Sequence, residues 1–415
     1  MATDEYAMYQ LSEDSTFHFE ILRVLAQAVY DGADVGEILV TANNIIPSDL
    51  DSYANAFTSL AHRVYKRATS IARKKFPVSA RTAFFAAASY FRSADFYLHD
   101  NASDPRIMTL WANQTAAFDQ GLALLSTPNH RLTLNTPDFE IPAIWFTPDD
   151  EVKQRPTIIL GNGYDGSQEE MYHVVGAAAL ERGWNVLSYE GPGQPSPRRY
   201  QDIGFIYDWE RVITPVVDHL IAQPDLVDPD AIALLGLSFG GYLAPRAAAF
   251  EHRLAAILAI DGVWDFGNVT LGELSDEALD LWEAGNKTAF DEVAIEWLNP
   301  GYPTQLRWAL AQGLWSFNLD SPFDYIAASL NYTLEGVVDK IQTPVFIGDA
   351  ENDLFFKGQP QQLADALGDL GYLHHFTNED GIGEHCGLGA LKQQNAVIFD
   401  WLDGILEKKR NNALC

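Results

Sequence analysis

The segment Ala231–Gly241, with the sequence AIALLGLSFGG, decides the fold of this 415-residue chain. It starts as a continuous apolar run, which is typical of a parallel strand covered on both faces. Gly236, Ser238 and Gly240 then form a Gly-x-Ser-x-Gly sequence that leads into a helical pattern. Glycines two residues before and after a serine leave space for a sharp turn that lifts its oxygen clear of the sheet. The segment therefore predicts a nucleophilic serine, Ser238, on a strand-turn-helix element.

Strand and helix patterns alternate on both sides of this segment. Further short apolar runs, separated by helical patterns, predict parallel strands. They are TIILGNG (157–163), WNVLSYE (184–190), LAAILAID (254–261), TPVFIGDA (343–350) and YLHHFT (372–377). RLTLN (131–135) and EIPAIWF (140–146) alternate like an antiparallel pair that precedes them. The pattern predicts a mostly parallel, doubly wound α/β sheet.

Two other parts of the chain are helical in pattern. Residues 1–128 predict an N-terminal helical domain, in front of an α/β domain at 129–415. A mostly helical insertion at about 264–340, between Asp261 and Gln342, predicts a lid. This lid holds half of the ten tryptophans: Trp264, Trp282, Trp297, Trp308 and Trp315. They either fill the lid's own small core or form an aromatic roof over a bulky substrate, and Trp264 and Trp315 are the candidates for substrate contact.

A catalytic acid is expected after the strand PVFIG, because a serine hydroxyl needs a base that a carboxylate orients. Asp349, Glu351 and Asp353 all lie there. Asp353 is favoured because the loop must travel beyond the end of the strand to reach a histidine. Asp349 is the alternative.

The base is expected in the loop after the last strand. His385 lies there, flanked by glycines and just before the final helix, and it is the predicted base. His374 and His375 lie inside the strand YLHHFT, where packing on the sheet is the expected role. Cys386 beside the base is expected to be a small buried residue.

An oxyanion hole needs two backbone N–H groups aimed at the developing negative charge. Phe239, directly after the nucleophile, is predicted to supply one of them. The turn Gly163–Gly166 after the strand TIILGNG is predicted to supply the other, through Tyr164. Asp165 in the same turn is a candidate substrate contact.

Composition narrows the class of partner. The formal charge of −30 argues against nucleic acid and anionic membranes, which leaves a small-molecule substrate. No apolar run is long enough for a membrane helix and no secretory signal pattern is present, so a cytoplasmic protein is expected.

Two cysteines, Cys386 and Cys415, are too few for a disulfide framework. No metal motif occurs, and the Gly-x-Gly-x-x-Gly match at 161–166 follows earlier strands, which breaks dinucleotide topology; no metal or cofactor is predicted.

Five motifs together resemble a known family, the fungal Ayg1-like polyketide hydrolases. The motifs are GYDG (163–166), YEGPGQP (189–195), DWERV (208–212), GLSFGGYLAPR (236–246) and DLFFKGQP (353–360). The family has the α/β-hydrolase fold and is similar to bacterial 2,6-dihydroxypseudooxynicotine hydrolase and, more distantly, to the FrsA-like esterases. The resemblance covers essentially the whole chain, including the N-terminal helices.

The resemblance implies hydrolysis of a carbon–carbon bond next to a ketone, in a polyketide or similar bulky metabolite. Ser238 would attack the ketone, His385 would take its proton, and Asp353 would hold the imidazole. The bacterial relative uses a further acidic residue in its cleft, for which Asp261 and Asp265 are candidates here. The resemblance also suggests a homodimer.

Two other functions remain open at this point. An esterase, a thioesterase or an acyl-transferring cyclase that releases or cyclises a polyketide chain would use the same acyl-enzyme chemistry. A ligand-binding protein without turnover is disfavoured, because the serine, the acid and the histidine are all present.

Overall fold

The computed structural model describes residues 7–413 and contains one eight-stranded sheet in the order β1-β2-β4-β3-β5-β6-β7-β8. The strands are β1 (Asn129–Asn135), β2 (Glu140–Phe146), β3 (Arg155–Gly161), β4 (Asn185–Tyr189), β5 (Val227–Leu237), β6 (Ala256–Ile260), β7 (Val345–Ala350) and β8 (Gly371–Phe376). β1 and β2 pair antiparallel with each other and β2 with β4, whereas all the other pairs are parallel. The mostly parallel α/β sheet predicted from the sequence is thereby confirmed.

Helices precede the sheet and connect its strands. They are α1 (Ser15–Ala26), α2 (Val35–Ala42), α3 (Leu50–Ser70), α4 (Pro77–Asp95), α5 (Pro105–Leu122), α6 (Ala177–Glu181), α7 (Pro195–Tyr200), α8 (Glu210–Ile221), α9 (Gly240–Ala248), α10 (Phe266–Gly272), α11 (Asp276–Glu283), α12 (Lys287–Glu296), α13 (Thr304–Phe317), α14 (Pro322–Ser329), α15 (Gln359–Leu367) and α16 (Leu391–Ala413). Within the described residues, no helix is both long and apolar enough to cross a bilayer.

The N-terminal helices begin where the sequence places capping residues. Asp14 caps α1, because its side chain accepts the N–H groups of Thr16 and Phe17. α4 and α5 both begin at a proline, whose missing N–H costs nothing in the first helical turn. α2 lies within the predicted helical domain and buries only Ile38 and Thr41.

The hydrophobic core runs without interruption from the N-terminal helices into the sheet. β5 is buried from Ala231 to Leu237, and every residue of β6 is buried, as expected of central strands. The predicted boundary at residue 128 falls between α5 and β1. Cys386 is buried and carries a free thiol, whereas Cys415 lies outside the described residues.

The insertion between β6 and β7 forms helices α10 to α14, which we call the lid. Part of the lid packs on itself: the ring centroids of Trp282 and Phe323 are 4.4 Å apart, and Phe290 lies against both rings. The carboxyl ends of the parallel strands face the lid residues that line the cavity described below, and this edge is where open α/β sheets hold their ligands.

Candidate active site

Ser238 lies in the sharp turn between β5 and α9 and has a φ of +58°, a left-handed conformation that is unusual for a residue other than glycine. The flanking glycine is required sterically, because a Cβ at Gly236 would lie 1.9 Å from the carbonyl oxygen of Gly240. The N–H of Ser238 donates to Ile260 O at 3.0 Å, which ties the turn to the neighbouring strand. Such backbone strain is typical of functional sites and is held by the surrounding structure.

His385 connects Ser238 to Asp353 by hydrogen bonds. Its Nε2 lies 2.8 Å from Ser238 Oγ, and its Nδ1 lies 3.0 Å from Asp353 Oδ2. The other carboxylate oxygen of Asp353 accepts the N–H groups of Phe355 at 2.7 Å and Phe356 at 2.9 Å. The loop after β7 therefore fixes the carboxylate, and the carboxylate fixes the imidazole.

The electrostatics of this group favour a charged imidazole beside a charged carboxylate. Burial lowers the pKa of His385, but the negative charges of Asp353 and Asp261 outweigh it and raise that pKa to about 9. Burial raises the pKa of Asp353, but the charge and hydrogen bond of His385 hold it below its ordinary value. An imidazolium that forms next to Ser238 is thus stabilised.

The competing candidates have other partners. Asp349 Oδ2 lies 2.7 Å from Nδ1 of His375, and Glu351 accepts the N–H of Asn378 at 2.7 Å. His374 stacks on Phe346 of the sheet, with the ring centroids 5.6 Å apart. Asp353 and His385 are the acid and the histidine that the fold brings to Ser238.

The backbone N–H groups of Phe239 and Tyr164, beside Ser238, have no protein acceptor among the described residues. The turn that carries Tyr164 presses on the turn that carries Ser238, because a Cβ at Gly163 would lie 2.8 Å from the nitrogen of Phe239. Gln312 donates to Tyr164 O at 3.0 Å and fixes the turn from the lid side. The geometry suits the two predicted oxyanion donors.

A buried ion network holds the same turn from the side of the N-terminal helices. Asp165 Oδ1 lies 2.7 Å from Nη1 of Arg23 on α1 and 2.8 Å from Nη2 of Arg92 on α4. Arg23 Nε also bonds Glu170 at 2.7 Å, and Glu20 pairs with Arg92. Asp165 lines the cavity as predicted for a substrate contact, but both arginines engage its carboxylate.

This network was missed at the sequence level, although a signal existed. Glu20 and Arg23 interrupt the apolar helix pattern FHFEILRVLAQAVY, and both are buried. Burial raises the pKa of Glu20 to about 7, whereas the nearby arginines overcome burial and hold the pKa of Glu170 at about 2. Charged residues on the apolar face of a helix are almost never buried without partners, so their position already indicated a buried ion pair.

Ser238 and His385 open into a cavity of about 1010 Å³, including its open mouth. Its walls are largely apolar, and the Phe, Tyr and Trp residues among them are Phe19, Tyr164, Phe266, Trp308, Tyr325, Phe355 and Phe356. The hydroxyl groups of Tyr164 and Tyr325 lie 2.8 Å apart within this lining. A cavity with this lining suits a mostly apolar small molecule.

The predicted lid contacts lie elsewhere. Trp315 stacks on His99 with the ring centroids 4.9 Å apart and does not line the cavity. Trp308, on the same helix, does line it. Seven residues separate them, so they share a face of α13 but are about 10 Å apart along its axis. Trp264 also lies outside the lining, as does Asp265, whose side chain caps α10 by accepting the N–H of Asn268 at 2.7 Å.

Asp261 also lies outside the lining and is fully buried. Its Oδ2 is 3.1 Å from His385 Nδ1 and accepts the N–H of Cys386. The structure thus directs this carboxylate to the histidine rather than to the cavity, which sequence spacing could not indicate.

One group of potential metal ligands occurs in the described part of the chain: Asp261, His385 and Cys386, whose ligand atoms lie within 4.8 Å of one another. Burial raises the pKa of the Cys386 thiol well above its ordinary value, whereas a metal binds the thiolate. Both ring nitrogens of His385 are already engaged. These residues do not fit a metal centre.

Comparison with known proteins shows which family the chain belongs to. Residues 158–381 match the model of the alpha/beta hydrolase family. The chain is 30% identical to hydrolase acrC of Aspergillus aculeatus, over 97% of this chain and 99% of that protein. It is 29% identical to the 20-hydroxy-prefusarin hydrolase FUS2 of Gibberella moniliformis, over 97% of this chain and 100% of that protein.

A solved structure shares the fold over nearly the whole chain. The 2,6-dihydroxy-pseudo-oxynicotine hydrolase superposes with a TM-score of 0.70 at 20% identity, covering 92% of this chain and 95% of that chain. The resemblance to fungal hydrolases and to 2,6-dihydroxypseudooxynicotine hydrolase, stated from the sequence motifs, is confirmed. The chain belongs to the alpha/beta hydrolase family.

Proposed function

We propose that this protein is a serine hydrolase that cleaves a carbon–carbon bond next to a ketone in a polyketide or similar bulky metabolite. The observation that carries the proposal is the hydrogen-bonded line from Ser238 through His385 to Asp353 at the base of an aromatic cavity. A nucleophile, a base and an orienting carboxylate within hydrogen-bond reach of one another are what acyl-enzyme chemistry requires.

In the first step, Ser238 Oγ adds to the ketone carbonyl carbon while His385 Nε2 removes the hydroxyl proton. The carbonyl oxygen becomes negatively charged, and the N–H groups of Phe239 and Tyr164 stabilise it. Asp353 stabilises the imidazolium that forms, in keeping with the raised pKa of His385.

In the second step, the tetrahedral adduct collapses and the carbon–carbon bond breaks. The electron pair of that bond leaves as the enolate of the neighbouring carbonyl, and the His385 imidazolium supplies the proton that neutralises it. The other fragment stays on Ser238 as an ester. Water, deprotonated by His385, hydrolyses this ester, and the products are a carboxylic acid and a ketone.

The cavity and the relatives support this class of substrate. The walls are mostly apolar, and Arg23, a cation in the lining, is already paired with carboxylates, so a neutral, bulky molecule fits better than an anion. FUS2 is named as a hydrolase of 20-hydroxy-prefusarin, and the structural neighbour as a hydrolase of 2,6-dihydroxy-pseudo-oxynicotine. Both names describe metabolites rather than peptides or lipids.

The alternative is an esterase, a thioesterase or an acyl-transferring cyclase that releases or cyclises a polyketide chain. The same serine, histidine and oxyanion donors would serve it, because the acyl-enzyme is common to all these reactions. The bond that is cut separates the two functions.

The test compares three substrates of matched acyl group: an aryl β-diketone, its ester and its thioester. The purified wild-type protein should cleave the diketone into an acid and a ketone, both detected by liquid chromatography with mass spectrometry. Ser238→Ala should lower the rate by about 10⁶-fold, because the nucleophile acts in every step. A serine-directed phosphonate should label the wild type at Ser238 and leave Ser238→Ala unlabelled.

The outcomes separate the candidates. Turnover of the ester or thioester with an intact diketone would overturn carbon–carbon cleavage in favour of the alternative. Failure of the phosphonate to label Ser238 would overturn both and revive a ligand-binding role. The homodimer stays a prediction, which light scattering on the eluting protein would test.

A further inference from the structure

Two carboxylates reach the same nitrogen of His385. Asp353 comes from the loop after β7, and Asp261 directly follows β6. Their Oδ2 atoms lie 3.0 Å and 3.1 Å from His385 Nδ1. Only the contact with Asp353 also has hydrogen-bond geometry, so the Nδ1–H is directed at that carboxylate in this structure. One orienting carboxylate is sufficient for the histidine of a serine triad, and here a second carboxylate lies at the same nitrogen.

The backbone holds Asp261 in place at a cost. Its φ is +59°, and a left-handed conformation is tolerated by aspartate but is not favourable. A Cβ on Gly241 would lie 2.4 Å from the carbonyl oxygen of Asp261, so the loop packs directly on the start of α9. Pro245 has no N–H for the Gly241 carbonyl, which accepts the N–H of Val263 instead at 3.3 Å. The strain is therefore maintained by the same elements that shape the turn of Ser238.

The side chain of Asp261 lies where a charged carboxylate is costly in free energy, because it is removed from water. It is fully buried, and its Oδ1 has no hydrogen-bond partner in the described part of the chain. Burial raises its pKa to about 7, with the charge of His385 opposing this rise and that of Asp353 adding to it. An asparagine would fill the same volume without a charge, so packing alone does not account for an acid here.

Asp261 also holds the histidine through the backbone. Its Oδ2 accepts the N–H of Cys386, the residue directly after His385, and Cys386 has a φ of +59°. The carboxylate thus contacts both the ring and the main chain of the short segment that presents the imidazole to Ser238.

We propose that Asp261 is a second positioning carboxylate for His385, which stabilises the imidazolium beside Asp353 and takes over its Nδ1–H when Asp353 is removed. The proposal rests on the function proposed above for Ser238 and His385. It extends that function by assigning the histidine two carboxylates, from two neighbouring strand ends, with unequal roles.

The test measures how fast a serine-directed fluorophosphonate modifies Ser238, because this rate depends on the serine and the histidine but not on the bond cut in the substrate. Loss of the acid of a serine triad costs about 10⁴-fold when nothing replaces it. Asp353→Ala should therefore lose only about 10²-fold, and the double variant with Asp261→Asn should lose the full factor of about 10⁴. In the wild-type background, Asp261→Asn should cost less than about 10-fold.

Asp349→Asn is the matched control, because Asp349 lies at the same edge of the sheet but pairs with His375. It should leave the rate within about twofold in both backgrounds. Thermal melting of each variant separates a loss of folded protein from a loss of rate.

A pH profile distinguishes positioning from a purely structural role. The titratable or charged groups around the imidazole are Asp353, Asp261, Arg23, Glu384 and Cys386. The charge of Asp261 raises the pKa of His385. Asp261→Asn should therefore shift the acid limb, the fall in reaction rate as His385 becomes protonated, to lower pH. A structural defect would lower the rate at every pH without moving the limb.

Several results would overturn the inference. These are an equal cost of Asp261→Asn in both backgrounds, an unmoved acid limb, or a loss of about 10⁴-fold in Asp353→Ala alone. The last of these needs no substitution at Asp261 and decides the matter even where Asp261→Asn does not fold. A wild-type protein that the phosphonate does not label at Ser238 would instead overturn the proposed function itself.

Discussion

The floor of the cavity and its lid are built in different ways. The floor consists of Ser238, Phe239, Tyr164, Asp353 and His385, and directional hydrogen bonds and tight backbone contacts fix it. The lid contributes side chains such as Trp308 and Tyr325, which meet the cavity through aromatic surface. The floor therefore acts through defined angles and distances, and the lid mainly through its shape.

This difference separates chemistry from choice of substrate. A misplaced hydrogen-bond donor in the floor costs orders of magnitude in rate, because it acts on charge that develops in the transition state. A changed apolar contact in the lid alters binding by only a few kcal/mol, about 1–3 for a methylene group. We therefore expect floor substitutions to be severe and lid substitutions to be graded, and the following predictions test that contrast.

The largest effect is expected from one added methyl group in the floor. Gly236→Ala would place its Cβ 1.9 Å from the backbone oxygen of Gly240, and no side chain can move aside to relieve that contact. Gly272→Ala is the matched change in the lid, where a Cβ would have nothing within 4 Å. Gly236→Ala should lower the free energy of unfolding by more than about 4 kcal/mol, whereas Gly272→Ala should stay within about 1 kcal/mol. Chemical denaturation of both variants, compared with the wild type, measures the difference; similar losses would break the contrast.

The next effect concerns the ion network that supports the floor. Asp165→Asn removes the carboxylate that two arginines share beside Tyr164. Arg23 keeps Glu170 and Arg92 keeps Glu20, so we expect the free energy of unfolding to fall by about 1–3 kcal/mol, as for the loss of a hydrogen bond to a charged group. The folded fraction should also react more slowly with the phosphonate, by up to about 10²-fold, because the N–H of Tyr164 loses its fixed direction. Asp138→Asn, which breaks the exposed pair with Arg211, is the control and should change stability by less than about 1 kcal/mol. A normal phosphonate rate in Asp165→Asn would show that the network serves stability alone.

More of the floor than of the lid could be predicted from the sequence, for a physical reason. Ser238 directly follows β5 and His385 lies in the loop after β8. The order of these strands along the chain determines where the two residues meet, so local sequence patterns were sufficient to identify them. The second carboxylate contact of His385 depends on how two loops pack, and Trp308 rather than Trp315 faces the cavity because of its position along α13. Contacts between residues distant in sequence leave no periodic signal in either segment.

The pH dependence should report the charges around His385. Its pKa is raised to about 9 because Asp353 and Asp261 outweigh the effect of burial, so the imidazole is protonated at neutral pH and becomes a base as the pH rises. The value of kcat/KM should then increase by roughly 50-fold between about pH 7 and 9. A fall in rate at low pH with its midpoint near pH 6.5, the ordinary pKa of histidine, would contradict this. Stopped assays over a range of pH, with separate buffers that overlap, provide the measurement.

The smallest effect is expected in the lid and falls on binding. Trp308 lines the cavity and packs on Phe355 with the ring centroids 5.7 Å apart, so Trp308→Leu should raise KM by about 10-fold while kcat changes little. Trp282→Leu is the matched control, because Trp282 packs against Phe323 of the lid and is not among the cavity-lining residues. It should lower the melting temperature and leave KM unchanged. If Trp308→Leu instead lowers kcat as strongly as a change in the floor, this part of the lid positions the reacting carbonyl, and the separation of chemistry from substrate choice fails at that residue.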